Sequence, residues 1–308
     1  MNELRFDEQV AVVTGAGGGL GRAYALALAE RGARVVVNDL GGSPDGSGAS
    51  DTFAEAVVDE IRAAGSEALA DSHDVVSEGE AIVETALDAW GRIDVVVNNA
   101  GIAGWGEFHK IPEADYDRMI DIHYRGTIRV TRRAWASMVE AGRGRVINTS
   151  SNTLFGAPGR SHYISAKGAV LGLTRALAQE GAAHGIRVNA IMPVAYTRLV
   201  ARIPEEALRN WFESNFQPEQ VAAFVAWLAH DEISCTGETF LVGGGRAARV
   251  VLAEAAGFAG AASPEDYREH FEQIMSLDGM AVLANAAEEL PFMAKHVGAP
   301  LDLPSDTS

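Results

Sequence analysis

The stretch "VVTGAGGGLGRAYALALAERGARVVVND", residues 12–39, decides the fold. A β-branched run leads into a glycine-rich turn, an amphipathic stretch, a second β-branched run and an acid. Gly15, Gly19 and Gly21, with Leu20 among them, fall where a tight turn brings backbone N–H groups to a ligand and then opens a helix. A helix N-terminus carries partial positive charge and free donors, which suits a pyrophosphate. The acid is Asp39, 18 residues after Gly21. A carboxylate there accepts both ribose hydroxyls of an adenosine and repels a 2′-phosphate. No lysine or arginine flanks Asp39, and Gly18 rather than a base precedes Gly19, so the pattern favours NAD over NADP. Alone, Asp39 would read as a solvated turn acid; the strand before it and the glycine turn give it a binding role.

Outward from this unit the rhythm repeats. Apolar runs at 10–14, 34–39, 68–71, 93–99, 145–150, 186–191 and 239–244 alternate with helical patterns at 20–31, 51–64, 78–90, 113–140, 161–183 and 218–229. The runs are apolar at their centres, as strands covered on both faces must be. The expected fold class is therefore α/β: a Rossmann-type, doubly wound parallel sheet of about seven strands with helices on both faces. This domain is expected to span 1–245, with a helical C-terminal extension over 246–308 packed on it. "LGGSPDGSGAS" (40–50) reads as a loop. "TRLVARIPEEALRNWFESNFQ" (197–217) mixes Trp, Phe and Leu with arginines and reads as a lid over a ligand crevice, or as a packed surface helix pair. Asp74 in "SHDVV" can meet an adenine amino group with Val75 against the ring, although an acid at that place is also a common helix N-cap.

Composition narrows the function classes. The formal charge of −17 opposes general attraction to nucleic acid or an anionic membrane. Cys235 is the single cysteine, so neither an internal disulfide nor a cysteine-based metal site is expected, and no metal is assigned. No run of 18 apolar residues and no apolar leader occur, and a cytoplasmic setting is expected.

"SHYISAKGA" (161–169) carries the chemistry. Tyr163 and Lys167 are four apart and share one helical face. The chain holds three lysines against 22 arginines, so a lysine here is not the usual surface cation. A phenol near its reference pKa of about 10 is a poor base at neutrality, and a nearby cation lowers such a pKa by about 1–3 units. Lowered in this way, the phenolate can take the proton of an alcohol whose carbon loses hydride to a cofactor. Ser150 and Ser151, ending "RVINTSS", can donate to the developing oxyanion.

Together "TGAGGGLG" (14–21), "NNAG" (98–101), Ser151 and "YISAK" (163–167) resemble the short-chain dehydrogenase/reductases. The resemblance implies that Tyr163 is the acid/base, Lys167 its ribose-binding partner and Ser151 the donor to the substrate oxygen. Counting back from Tyr163 would favour Ser150 instead. It also implies that Asn98 shapes the crevice beside the adenosine half and that Thr197 contacts the cofactor. Several longer stretches, among them "ALDAWGRIDVVVNNAGI" and "GETFLVGGGRAARV", are similar to the (3R)-hydroxyacyl-CoA dehydrogenase modules of type 2 peroxisomal multifunctional enzymes, which are also classed as 17β-hydroxysteroid dehydrogenases.

Two positions depart from the family pattern. His123 in "HYRG" stands where an Asn holding a relay water is usual; it either replaces that Asn or caps and packs. Val194 follows Pro193 where Gly is usual. The expected activity is NAD-dependent interconversion of a secondary alcohol and a ketone, on a hydroxysteroid or a (3R)-3-hydroxyacyl-CoA. An acyl-CoA needs a basic rim, for which Arg198, Arg202 and Arg209 are available. The alternatives are a non-catalytic NAD(H) sensor and an NADPH-dependent carbonyl reductase. Expected partners are the small-molecule substrate and further copies of the chain, as a homodimer or homotetramer, with neither nucleic acid nor membrane.

Overall fold

A computed structural model describes residues 3–42, 48, 50–197, 200–202 and 205–299. Strand β1 (Val10–Thr14) pairs in parallel with β2 (Arg34–Asn38), Val12 opposite Val36, and helix α1 (Gly19–Ala29) makes the crossover. Helix α2 (Thr52–Ala63) leads to β3 (Ala68–Asp71) on the outer side of β2. The chain then returns through α3 (Gly79–Trp90) to β4 (Val95–Asn98), which pairs with β1. Helices α4 (Glu113–Ile120) and α5 (Gly126–Ala141), β5 (Gly144–Thr149), α6 (Ser161–Gly181), β6 (Ile186–Pro193), α7 (Glu206–Asn215), α8 (Pro218–Ala229) and β7 (Thr239–Gly243) extend the sheet on that side. With β8 (Arg246–Val250) at the edge, the final order is β3-β2-β1-β4-β5-β6-β7-β8.

The doubly wound sheet is as expected, but it has eight strands rather than seven. Gly244 and Gly245, at φ +59° and +73°, turn the chain back into β8 (Arg246–Val250). A two-residue connection makes this last pair antiparallel, and its left-handed backbone calls for glycine.

Alternation along each strand explains the apolar runs. Ala11, Val13, Val35, Val37, Val95, Val97 and Ile147 point to one layer, where they meet Leu28, Ile61, Val225 and Leu228 of α1, α2 and α8. Val10, Val12, Val36, Val96 and Val146 point to the other, against Ile82, Val83, Val130, Ala134 and Met138 of α3 and α5. With both faces buried, polar residues inside the strands are hydrogen-bonded, as Asn148 is to Thr174 and Asn189 to the Cys235 carbonyl.

The stretch read as one helix over 113–140 is two helices joined by a π-turn, Asp121–Arg125. The extra residue in the wide turn seats His123 inward, 3% exposed, and Thr127 Oγ1 donates to the His123 carbonyl at 2.8 Å.

The chain divides between Arg249 and Val250 into two compact units. In the second, β9 (Ala253–Glu254) and β10 (Ala281–Val282) form an antiparallel pair. Helices α9 (Pro264–Glu269) and α10 (Phe271–Met275) lie between them in sequence, and α11 (Ala286–Val297) follows. The extension expected to be helical from 246 does not begin as a helix: its first five residues are β8, and from there to residue 260 only Ala253 and Glu254 join a sheet.

Candidate active site

In an open sheet whose order reverses between β1 and β4, the loops leaving these strands part in opposite directions and open a crevice at their carboxyl ends. A cavity of about 540 Å³ lies there. Gly15, Asp39, Asn99, Ser151 and Pro193, each at or just past the end of a strand, contribute to its wall.

At one end the glycine turn abuts the start of α1. Gly15, at φ +64°, is so close to the next loop that a Cβ would stand 2.8 Å from Ala100 Cα. A Cβ on Gly21 would stand 2.1 Å from the Gly15 carbonyl oxygen. These glycines let the turn fold against α1 and β4. The N-cap, Gly18, supplies no side chain, and the first turn of α1 holds no acid, so its N–H groups keep their capacity for an anion. That donor set fits a dinucleotide pyrophosphate. Asp39 lies one residue past β2, and its carboxylate accepts from Gly17 N and Gly41 N, each at 2.7 Å. Leu20, Asp74, Val75 and Thr197 line the same cavity. Asp74 also accepts from Val76 N at 2.9 Å, so it organises the turn before α3 while facing the crevice. Gly19 and Gly21 shape the turn and do not reach the wall.

Asn99, not Asn98, faces the cavity. Its Nδ2 donates to the carbonyls of Thr14 and Gly15 at 3.0 and 3.1 Å, tying the β4 loop to the glycine turn. Asn98, expected beside the adenosine, points into the interior. There its Nδ2 donates to Thr131 Oγ1 at 2.8 Å and Asn148 Oδ1 at 2.9 Å, and Asn148 in turn donates to Thr174.

At the other end α6 presents Tyr163 and Lys167 from successive turns. Lys167 is 3% exposed, its Nζ donates to the Thr149 carbonyl at 2.7 Å, and it lies 5.7 Å from the Tyr163 ring centroid. The two serines separate clearly. Ser150 donates to the Lys167 carbonyl at 3.1 Å, whereas Ser151 stands with Tyr163 in the cavity wall and accepts from Thr153 Oγ1 at 2.9 Å.

The electrostatics differ from the sequence expectation. Burial raises the Tyr163 pKa above that of an ordinary phenol; the Ser151 hydroxyl and the Arg160 guanidinium oppose this without overcoming it. Burial also lowers Lys167 to about 7. The structure thus adds Arg160, which the sequence reading missed, to the groups acting on the phenol.

His123 packs edge-on against Tyr163, ring centroids 5.3 Å apart. Its Nε2 donates to the Ile102 carbonyl at 2.9 Å, and its Nδ1 is buried without a partner. Burial and the Lys167 charge hold it well below the usual histidine range, so the ring is neutral. Val194 adopts no positive φ, and its N–H donates to the Val242 carbonyl at 2.8 Å; the backbone there does not require glycine. From the 197–217 insertion, Val200 and Phe212 reach the cavity. Arg198 lies outside the described residues.

Residues 9–207, more than half of the chain, match the family described as short chain dehydrogenase. The chain is 47% identical over 244 residues to peroxisomal multifunctional enzyme type 2 of Mus musculus, covering 79% of this chain and 32% of that protein. The structure of full-length peroxisomal multifunctional enzyme type 2 from Drosophila melanogaster matches 96% of this chain and 50% of its own, with TM-score 0.80 and 31% identity. A 7α-hydroxysteroid dehydrogenase solved with NADH and 7-oxo glycochenodeoxycholic acid matches 80% of this chain and 98% of its own, with TM-score 0.71 and 28% identity. The chain therefore spans about a third to a half of these multifunctional relatives. Among the described residues no helix is long and apolar enough to cross a membrane. A nicotinamide cofactor follows from the family and from the NADH-bound neighbour. The chain belongs to the short chain dehydrogenase family and is an oxidoreductase acting on CH–OH groups.

Proposed function

We propose that the protein is an NAD-dependent dehydrogenase that interconverts a secondary alcohol and a ketone, on a hydroxysteroid or a (3R)-3-hydroxyacyl-CoA, with Tyr163 as acid/base. The reading is carried by one observation: Tyr163 and Ser151 stand together in the cavity wall with Lys167 a turn away, in the crevice that the glycine turn also borders.

When bound, the nicotinamide group supplies the hydride acceptor. Gly15 and Leu20 would hold the dinucleotide at the start of α1, on a turn shaped by Gly19 and Gly21, with Asp39, Asp74 and Val75 toward its adenosine and Thr197 beside Gly19. Asp39 keeps acceptor capacity for ribose hydroxyls beyond its two backbone bonds and repels a 2′-phosphate, which supports NAD over NADP.

The protein's own groups manage the proton. Ser151 donates to the substrate oxygen and holds it against the Tyr163 hydroxyl. As the carbinol carbon loses hydride, its hydroxyl proton passes to the Tyr163 oxygen; in the reverse direction the phenol returns it. Ionising a phenol whose burial disfavours the anion needs positive charge nearby. Lys167 and Arg160 provide it, and an oxidised nicotinamide adds to it. Neutral His123 braces the Tyr163 ring without competing for the proton.

The test is NADH formation from estradiol-like steroids and from 3-hydroxyacyl-CoAs, with Tyr163→Phe as control. Turnover by the parent on at least one class and a loss of about a hundredfold or more in the variant are expected, the scale of a general acid–base contribution. Full activity of Tyr163→Phe would remove the phenol from the mechanism.

A further inference from the structure

Arg160 lines the cavity beside the acid/base. Its guanidinium carbon lies 3.9 Å from the Trp105 ring centroid and 5.8 Å from that of Tyr163. The seat is built by backbone. Gly106 N donates to the Gly159 carbonyl at 2.9 Å. Gly159, at φ +72°, admits Trp105 where a Cβ would stand 2.7 Å from its indole nitrogen. Stacking uses the flat face of the guanidinium and leaves its N–H edges to donate to a partner.

Arg22, Arg92, Arg133, Arg143 and Arg249 each hold an Asp or Glu, whereas among the described residues no carboxylate pairs with Arg160. The group is half buried, so it is partly desolvated. It also stands at the N-cap of α6, where the helix dipole opposes a cation. In a chain of net charge −17, this cation is kept against burial and dipole with no carboxylate of the described residues paired to it.

We propose that Arg160 determines specificity in the substrate half of the cavity, its fork taking a carboxylate that the substrate carries close to the alcohol being oxidised. This rests on the oxidoreductase reading above. The closeness of Arg160 to Tyr163 sets where the charge belongs. The phosphates of a CoA arm sit at the far end of a long chain, and those of the dinucleotide are accounted for at α1. The carboxylate therefore belongs to the part of the molecule that is oxidised, and the bidentate geometry suits it.

The test compares 3-hydroxy-3-phenylpropionate with its methyl ester on the wild-type chain, Arg160→Gln, Arg160→Lys and Tyr163→Phe. The wild type should favour the acid in kcat/KM, through KM. Arg160→Gln should lower the acid by about ten- to a hundredfold more than the ester, the worth of a hydrogen bond to a charged group, while the smaller loss on the ester reports the charge withdrawn from the phenol. Arg160→Lys should keep part of the preference. Calorimetric binding of benzoylacetate and its methyl ester to NADH-bound Tyr163→Phe reads the anchor without turnover. There the acid should bind more tightly, and adding Arg160→Gln should erase the difference.

Equal handling of acid and ester by the wild type would overturn the proposal, as would absence of binding by either. So would an Arg160→Gln variant impaired equally on both with its pH profile displaced, which would confine Arg160 to its action on the phenol. Loss of the oxidoreductase reading has a different signature: no NADH from any alcohol, or a fully active Tyr163→Phe, while calorimetry still decides the anchor.

Discussion

Burial takes Lys167 from its ordinary 10.5 to about 7. Between those values the unfolded chain holds a proton that the folded one has released, so this residue's contribution to stability rises as pH climbs from about 7 toward 10. Below 7 both states are protonated and the contribution is constant. The melting temperature of the wild type should accordingly gain on that of Lys167→Met between pH 7 and pH 10; an unchanged gap would show that the ammonium is not desolvated. The spacing of Tyr163 and Lys167 was legible because a helix makes positions four apart neighbours. Arg160 was not. It is one of 22 arginines, and only a contact with Trp105, far off in sequence, sets it in the cavity. The choice between Asn98 and Asn99 was equally hidden, because β4 ends at Asn98 and the alternation that would assign faces ends with it.

Among the elements, the glycine turn and α1 were read with the fewest errors, since their constraints are local: a strand, a tight turn and a helix start close together in sequence. Gly21 makes that reading testable. An alanine there drives its Cβ onto the Gly15 carbonyl, and because the obstacle is backbone, turn and helix must part. Gly21→Ala should weaken NADH binding by about tenfold or more, the cost of one misplaced hydrogen bond to a charged group. Fluorescence titration measures this, and unaltered affinity would mean that the turn does not cradle the dinucleotide. The π-turn could not be read in advance. Its 113–140 pattern is helical throughout, and the one extra residue shows only in how His123 is buried against Tyr163 and Ile102. The eighth strand, by contrast, was legible and missed. The Gly244–Gly245 pair between "TFLV" and "RAARV" is a hairpin signal, but the alanines that follow suit a helix as readily.

Over the whole molecule the two units differ in what holds them. The first buries two apolar layers against its sheet. In the second, from Val250 to Ala299, no residue is fully buried, and Leu252, Phe271, Met275, Leu277, Met280 and Met293 are all exposed. Its local order comes from caps: Ser263 and Asp266 close a reciprocal box at the start of α9, and Asn285 accepts from Ala287 N and Glu288 N at the start of α11. Such caps contribute about 1 kcal/mol each, while fixing a residue's backbone costs about 1–2 kcal/mol. A segment of this length with no buried core cannot offset that loss by itself. A peptide of residues 250–308 should show no cooperative thermal transition by circular dichroism, whereas residues 1–249 should melt in a single one. A cooperative melt of the isolated peptide would mean that its apolar side chains gather into a core of their own.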